Sequence, residues 1–415
     1  MSNYGNGSIK EILTAEGKHY TPKKWRIMAS YTDDNGKRQR PSKIIYGNKT
    51  DAQKALNQLI KDIQNGVDVV KGSIKFEQFA NDWLKKKKAS GLKLQTLDGY
   101  ERAINKALPF IGNKPLNKIT TNDLENMFLA FYTSTANGSM AKYYLSPIKQ
   151  IFKSAYRLDL IAINPIDKAE LPKPKKNEKV ILDTKEAVRL NSVLMTEYKA
   201  LIEKCDVTSV QYSSRLLGAY ISLNTGLRRG EVLALSWGDI TLGFNNGVEF
   251  GSISVSKSMT RYGISNSAKT EAGKREVSID SVTASLLIEF KAVQAKSMND
   301  LGLKQDNKTL LVTIDTFKEF SQTAYSAWFN RFIKKHNFTE GVSFHSLRHT
   351  HATLLVSSGL DIKTIQTRLG HANASITLNT YAHALPEKDK QASDIVSSIL
   401  NSKPAEKEHR VIKFA

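Results

Sequence analysis

The sequence predicts a mainly α-helical chain with small β elements, an α+β protein of about two to four domains. Three observations lead there. Apolar residues recur at helical spacing through most of residues 73–163 and 183–400. Alternating, strand-like segments are confined to residues 1–66 and to one interruption in the C-terminal half. A Pro- and Lys-rich stretch at 164–182 separates the two helical regions as a stiff basic linker. Of the 415 residues, 40% are hydrophobic, enough to bury real cores.

In residues 1–66, Trp25–Tyr31 reads as a strand and Asp33-Asp-Asn-Gly36 as a turn. Lys37–Arg40 begins a second, basic strand, and Ile44–Tyr46 forms a third. Thr50 caps a helix carrying Ala52, Ala55, Leu56, Leu59 and Ile60. The expected module is a three-stranded sheet with one helix. Lys24, Arg26, Lys37, Arg38 and Arg40 give it a basic face, a candidate binding surface, although such charge runs also occur on merely solvated faces.

Residues 66–72 form a Gly-containing linker, and residues 73–163 read as four helices. The first carries Phe76, Phe79, Ala80, Trp83 and Leu84, then the basic run Lys85, Lys86, Lys87 and Lys88, and ends at Gly91. The second carries Thr96, Tyr100 and Ile104 and is expected to stop near Pro109 and Gly112. Thr121-Asn-Asp-Leu124 caps the third, and Ser139–Leu158 makes the fourth. Within 183–400, Gly251–Val255 and Arg275–Ile279 alternate as strands, with a turn near Gly273. After Pro386, an apolar stripe of Ala392, Ile395, Val396, Ile399 and Leu400 suggests a short helix suited to a protein contact, ahead of a 401–415 tail.

Lys and Arg number 61 against 40 Asp and Glu, a formal charge of +21. That excess points to a polyanion, since cationic side chains release condensed counterions from nucleic acid. A ribosomal-type or membrane-surface protein would share the balance. The single cysteine, Cys205, excludes an intramolecular disulfide and a Cys-based zinc finger and reads as a packed helix residue. No signal peptide and no apolar run of about 18 residues is present, so a cytoplasmic location without membrane contact is expected.

Six residues in the C-terminal half suit one chemistry: Arg228 in TGLRRGE, Lys269 in SAKTEAGKRE, His345 and Arg348 in FHSLRHTHAT, His371 in RLGHANAS, and Tyr381 in LNTYAHA. A phosphodiester under attack gathers charge on its nonbridging oxygens, which paired arginine donors stabilise better than a point cation. Glu231, three residues after Arg228, can orient that guanidinium on a helix. His345 and Arg348 share a helical face near an N-terminus, where free N–H groups also favour phosphate. His371 follows a turn at Leu369-Gly370, and an imidazole there can donate to the phosphate or shuttle a proton. Tyr381 supplies a hydroxyl nucleophile. His345 and His349 have the spacing of a zincin helix, but Ser346 stands where the general-base Glu would be, so no metal and no cofactor is expected.

The order and spacing of these motifs resemble the tyrosine recombinases, the phage-integrase family of site-specific DNA recombinases. The resemblance is strongest over Asp183–Leu400 and extends more weakly to the N-terminus. It implies an arm-site-binding domain at 1–66, a helical SAM-like core-binding domain at 73–163, and a catalytic domain at 183–400. It further implies a 3′-phosphotyrosyl intermediate on Tyr381 and strand exchange through a Holliday junction, for integration and excision of a mobile element. Lys269 becomes the acid for the leaving 5′-oxygen, with Lys274 and Lys257 as alternatives. The implied partners are double-stranded DNA at core and arm attachment sites, three further copies of the chain in a homotetramer, an excisionase and a host DNA-bending protein, on the nucleoid. A type IB topoisomerase shares the chemistry but not the separate basic N-terminal domain. A binding-only regulator would have no need of Tyr381.

Overall fold

The computed structural model describes residues 5–32, 38–64, 73–134, 139–171, 180–245, 248–266, 273–314 and 317–371. The chain divides into two compact units, Met1–Asn177 and Glu178–Ala415. Among the described residues no helix is long and apolar enough to cross a membrane.

The first unit holds two separate cores. One lies under a small sheet built from β1 (Gly5–Leu13), β2 (His19–Thr32), β3 (Arg38–Gln39) and β4 (Ser42–Tyr46). β1 and β2 are antiparallel, and both β3 and β4 pair with β2. Tyr31 lies opposite Gln39 and Met28 opposite Ser42, so the two registers run on in step. β3 and β4 are therefore two pieces of one strand, interrupted at Arg40-Pro41. Pro41 has no N–H to donate, but its carbonyl still accepts from Ala29 N at 3.1 Å.

The three-strand expectation thus needs a correction in its parts. The runs beginning at Lys37 and Ile44 are a single strand, and β1 was not anticipated. In β1 the apolar residues Ile9, Ile12 and Leu13 do not alternate, so no face is marked in the sequence. Trp25, Ile27 and Ala29 of β2 are buried against Ala52, Leu56, Leu59 and Ile63 of α1 (Lys49–Gln64). The alternate positions Lys24, Arg26 and Met28 point to the opposite face. There Lys10 stands opposite Arg26, and Ile44 and Tyr46 are exposed.

The second core belongs to a bundle of α2 (Phe76–Ala89), α3 (Leu94–Ile111), α4 (Thr121–Thr133) and α5 (Ser139–Arg157). Phe76, Phe128 and Phe152 are fully buried in it. Gly91, at φ +73°, takes the left-handed turn that follows α2. Two details differ from expectation. Pro109 lies inside α3 rather than ending it, and the helix runs to Ile111 before Gly112. The cap of α4 is Thr120, one residue earlier, in a capping box with Asp123.

In the second unit α6 (Thr184–Ile202) and α7 (Val207–Thr225) pack together, and α7 is buried along most of its length. α8 (Arg229–Leu233) leads into an antiparallel sheet of order β5–β6–β9: β5 (Ile240–Asn245), β6 (Val248–Val255) and β9 (Arg275–Ile279). β5 was not read from the sequence; its glycine and flanking turn residues dilute the strand pattern. A separate two-stranded ribbon, β7 (Ser258–Thr260) with β8 (Gly263–Ser265), falls between β6 and β9 in the sequence. Then follow α9 (Ser281–Asn299), α10 (Gln322–Lys335), α11 (Phe344–Ser357) and α12 (Ile362–Leu369).

Candidate functional site

The site begins where α7 stops. Gly226 adopts φ +72°, and a Cβ there would sit 2.6 Å from Leu369 Cδ2 and 2.8 Å from His351 Cδ2. Only glycine turns the chain there without strain and lets α12 approach so closely. The turn delivers Arg228 as the N-cap of α8. Glu231, in the first turn of α8, accepts from Arg228 N at 2.9 Å and from Arg228 Nη1 at 2.7 Å. Arg228 Nη2 donates to the Gly370 carbonyl at 3.1 Å.

Arg348 lies in α11, one turn after His345, and is 2% exposed. Its Nη1 donates to the Gly226 carbonyl at 2.8 Å and its Nη2 to the Leu369 carbonyl at 2.6 Å. His345 is exposed, with its ring edge-to-face to His349 at 4.6 Å between centroids. Arg275, which the sequence reading passed over, donates from Nε to the Arg368 carbonyl at 2.7 Å. Its Nη2 meets Glu231 Oε2 at 2.8 Å.

The last carbonyls of a helix have no partner within it and carry its negative end. Here Arg368, Leu369 and Gly370, at the close of α12, each offer a carbonyl to a different arginine: Arg275, Arg348 and Arg228. Three guanidiniums are thereby gathered at one helix end, and His371 is the next residue along the chain. Gly370, at φ +65°, makes the turn, and His371 N closes on the Gln366 carbonyl at 3.1 Å.

This arrangement sets the charges. Burial lowers the pKa of His371, and the charges of Arg348, Arg228, Arg275 and His345 add to that, down to about 4. The imidazole is therefore neutral near pH 7. Burial would raise the pKa of Glu231, but hydrogen bonding and charge from Arg275, with the charge of Arg228, win and hold it down at about 2. His351 has a different place. Arg368 Nε can only donate, so His351 Nε2 accepts from it at 3.3 Å, and Nδ1–H donates to the Leu223 carbonyl at 2.9 Å. Burial first, then Arg368, lowers its pKa to about 4.

Arg228, Glu231, His345, Arg348 and His371 thus come together from the α7–α8 turn, α11 and the end of α12. Lys269 and Tyr381 lie outside the described residues, as do Lys37 and the apolar stripe after Pro386. Of the alternative lysines, Lys257 is paired with Asp239 Oδ2 at 2.7 Å and Ser236 Oγ at 3.0 Å, and Lys274 is exposed beside β9. A signal for Arg275 existed in its alternation: it shares a strand face with Val277 and Ile279, which are buried.

The candidate DNA contacts divide between the two modules of the first unit. Arg26, Arg38 and Arg40 are exposed, and Lys24 stands over the Tyr20 ring at 4.8 Å. In α2, Lys85 pairs with Asp82 at 3.4 Å and Lys87 lies over Trp83 at 5.3 Å, while Lys86 and Lys88 are exposed. Their place in the last turn also suits the negative end of the helix.

A mostly helical unit with arginines and histidines gathered at one helix end is chemically suited to phosphoryl transfer, and comparison supplies the family. Residues 192–388 match the phage integrase family, and residues 75–130 match the N-terminal SAM-like domain of phage integrases. The chain belongs to the phage integrase family and is a tyrosine-type site-specific recombinase. The ICEBs1 integrase of Bacillus subtilis is 26% identical over 290 residues, covering 69% of this chain and 72% of that protein. A tyrosine recombinase, XerC-like, of Caldanaerobacter subterraneus is 25% identical over 411 residues, covering 94% of this chain and 99% of the other. In fold, the Tn1549 transposon integrase in complex with transposon right end DNA is similar, with a TM-score of 0.61 and 22% identity over 78% of this chain and all of that one.

Proposed function

We propose that this recombinase integrates and excises a mobile element by cleaving each DNA strand with Tyr381. The Tyr381 hydroxyl gives up its proton to water, its oxygen attacks phosphorus, the bond to the 5′-oxygen breaks, and a 3′-phosphotyrosyl linkage forms. Arg228 and Arg348 grip the nonbridging oxygens, with His345 exposed beside them. Neutral His371 donates one ring N–H. Lys269, or Lys274 or Lys257 in its place, gives its proton to the leaving 5′-oxygen. A 5′-hydroxyl from the partner duplex then attacks the phosphotyrosine and frees Tyr381, so that two such exchanges make and resolve a Holliday junction within a tetramer. The observation that carries this reading is the convergence of Arg228 and Arg348 on the successive carbonyls of Gly370 and Leu369, one residue before His371. Tyr381 follows ten residues later in the sequence.

The sheet of the first unit is the proposed arm-site reader, with Lys24, Arg26, Arg38 and Arg40 supplying phosphate or base contacts, and the α2–α5 bundle with Lys85–Lys88 the core-site clamp. Contacting two sites with one chain requires the intervening DNA to bend, which gives a host DNA-bending protein and an excisionase their places. Nucleoid association follows from the same contacts.

A nicked suicide core site tests the central claim. The wild-type protein is expected to trap a DNA adduct that survives denaturation, and Tyr381→Phe to lose the adduct while keeping DNA affinity. An adduct persisting in Tyr381→Phe would remove the nucleophile assignment.

A further inference from the structure

We infer that Arg275 is a positioning residue for strand cleavage: it holds Glu231, and through it Arg228, against the end of α12 in the geometry that receives the phosphate. The inference rests on the proposed function and adds a residue to it.

The contacts of Arg275 lie within the protein. Its side chain is 4% exposed, and its donors are committed inside the protein. Nε goes to the Arg368 carbonyl at 2.7 Å, Nη1 to Glu231 Oε1 and the Gly273 carbonyl at 3.3 Å each, and Nη2 to Glu231 Oε2 at 2.8 Å. The fork matches the Glu231 carboxylate with two N–H groups, so that both oxygens are located, not merely neutralised. The same two oxygens hold Arg228, Oε1 at Nη1 and Oε2 at its backbone N. Arg228 and Arg275 are therefore each fastened to both oxygens of one buried carboxylate.

The second attachment matters equally. Arg275 reaches the Arg368 carbonyl while Arg228 reaches the Gly370 carbonyl, two residues on. The ring of contacts runs from β9 to Glu231 in α8, to Arg228, to the end of α12 and back to β9. It closes on the segment that carries His371. It also ties down the start of β9, which follows the segment containing Lys269. A guanidinium moved by about an ångström at a phosphate costs on the order of a hundredfold in rate. A point cation in place of Arg275 would keep the charge but not the fork.

The test compares Arg275→Lys, Arg275→Gln and Glu231→Gln, singly and as Arg275→Gln/Glu231→Gln, in the full chain. Half-site affinity is read by gel shift, single-turnover cleavage on the nicked core site, and folding by thermal melting. Arg275→Gln is expected to slow cleavage by about 10- to 100-fold with affinity changed less than about twofold. Arg275→Lys is expected to recover part of that rate, and in the Glu231→Gln background the Arg275 penalty should largely vanish. Normal cleavage by a folded Arg275 variant, a loss matched by an equal loss of affinity, or fully additive penalties would each overturn the inference. If Arg275→Gln fails to fold, Arg275→Lys bears the same comparison. A DNA-free readout separates this inference from the proposed function. The ¹⁵N resonances of the Arg228 guanidinium should move in Arg275→Lys whether or not the wild type cleaves, and unchanged resonances would refute the link. Absence of any wild-type adduct would count against the proposed function instead.

Discussion

Arg348 is almost entirely withdrawn from the surface, yet the proposed mechanism brings a phosphate to it. Nη1 gives a hydrogen to the carbonyl of Gly226 and Nη2 one to the carbonyl of Leu369. In the proposed mechanism the loss of this arginine removes a transition-state donor, and it leaves two buried carbonyls without this partner. Arg348→Ala is expected to slow cleavage by about two to three orders of magnitude and to destabilise the fold by about 1–3 kcal/mol, checked by single-turnover cleavage and denaturant unfolding. Glu231 carries a pH dependence of known sign. Its folded pKa of about 2 lies below the ordinary value of 4.5, so its stabilisation is complete above pH 4.5. That contribution is lost as pH falls towards about 2. Glu231→Gln should therefore flatten that acid limb in unfolding experiments, and an unaltered limb would contradict the assignment. His371, lowered from 6.5 to about 4, should remain neutral in NMR titration of the DNA-free protein down to about pH 5. Because the fold disfavours its protonation, its penalty is absent above pH 6.5 and grows as pH falls towards 4. A His371 midpoint near 6.5 would show that the arginines do not surround it.

At the scale of elements, the end of α12 is the organising piece, because three arginines from three other places close on its carbonyls. Its approach depends on Gly226. Gly226→Ala should lower the melting temperature, with a cost on the order of 1–3 kcal/mol from the positive φ and the contacts with Leu369 and His351. It should also depress cleavage, since Arg348 bonds to the carbonyl of Gly226 itself. Unchanged stability would mean that α12 can withdraw freely. In the small sheet, alternation assigns opposite roles to neighbours on β2. Ile27→Ala, fully buried, should cost about 2–5 kcal/mol locally. Arg26→Ala, exposed one residue away, should leave stability alone and weaken binding to arm-site DNA in salt titrations.

For the whole molecule, the charge of +21 makes DNA affinity steeply dependent on salt. The first unit contains two modules with separate cores, to which the proposed function assigns separate DNA sites. A protein lacking residues 1–66 is expected to cleave an isolated core site at the normal rate yet fail to recombine substrates that need arm sites. Equal recombination by both proteins would make the sheet module dispensable. Cleavage in EDTA should persist, since the phosphate charge is met by the chain's own cations; loss on chelation, restored by a divalent ion, would refute this.

Much of this was legible in the sequence because it depends on short-range pattern. Helical spacing located α2–α5 and marked the region of α6 and α7 as helical without bounding either. Alternation located β2, β6 and β9, and the three-residue step from Arg228 to Glu231 put a carboxylate beside a guanidinium within one turn. The motifs around Arg228, Arg348 and His371 declared the chemistry, because paired arginines with imidazoles suit a phosphodiester whatever the fold. Other features had a weak local signal or none. β1 became a strand only because β2 offered it an edge, and two basic runs became one strand because their registers with β2 agree. Pro109 stayed inside α3, contrary to its local preference, where the packing of the bundle outweighs one missing hydrogen bond. Arg275 looked like an ordinary charged strand residue, since its partner Glu231 lies 44 positions away. The sequence by itself determined which chemical groups are present and which elements carry them, because propensity, periodicity and charge are local. Only the tertiary structure decided that three arginines share the end of α12, because a helix end with unpaired carbonyls becomes a meeting point only when distant elements are packed against it.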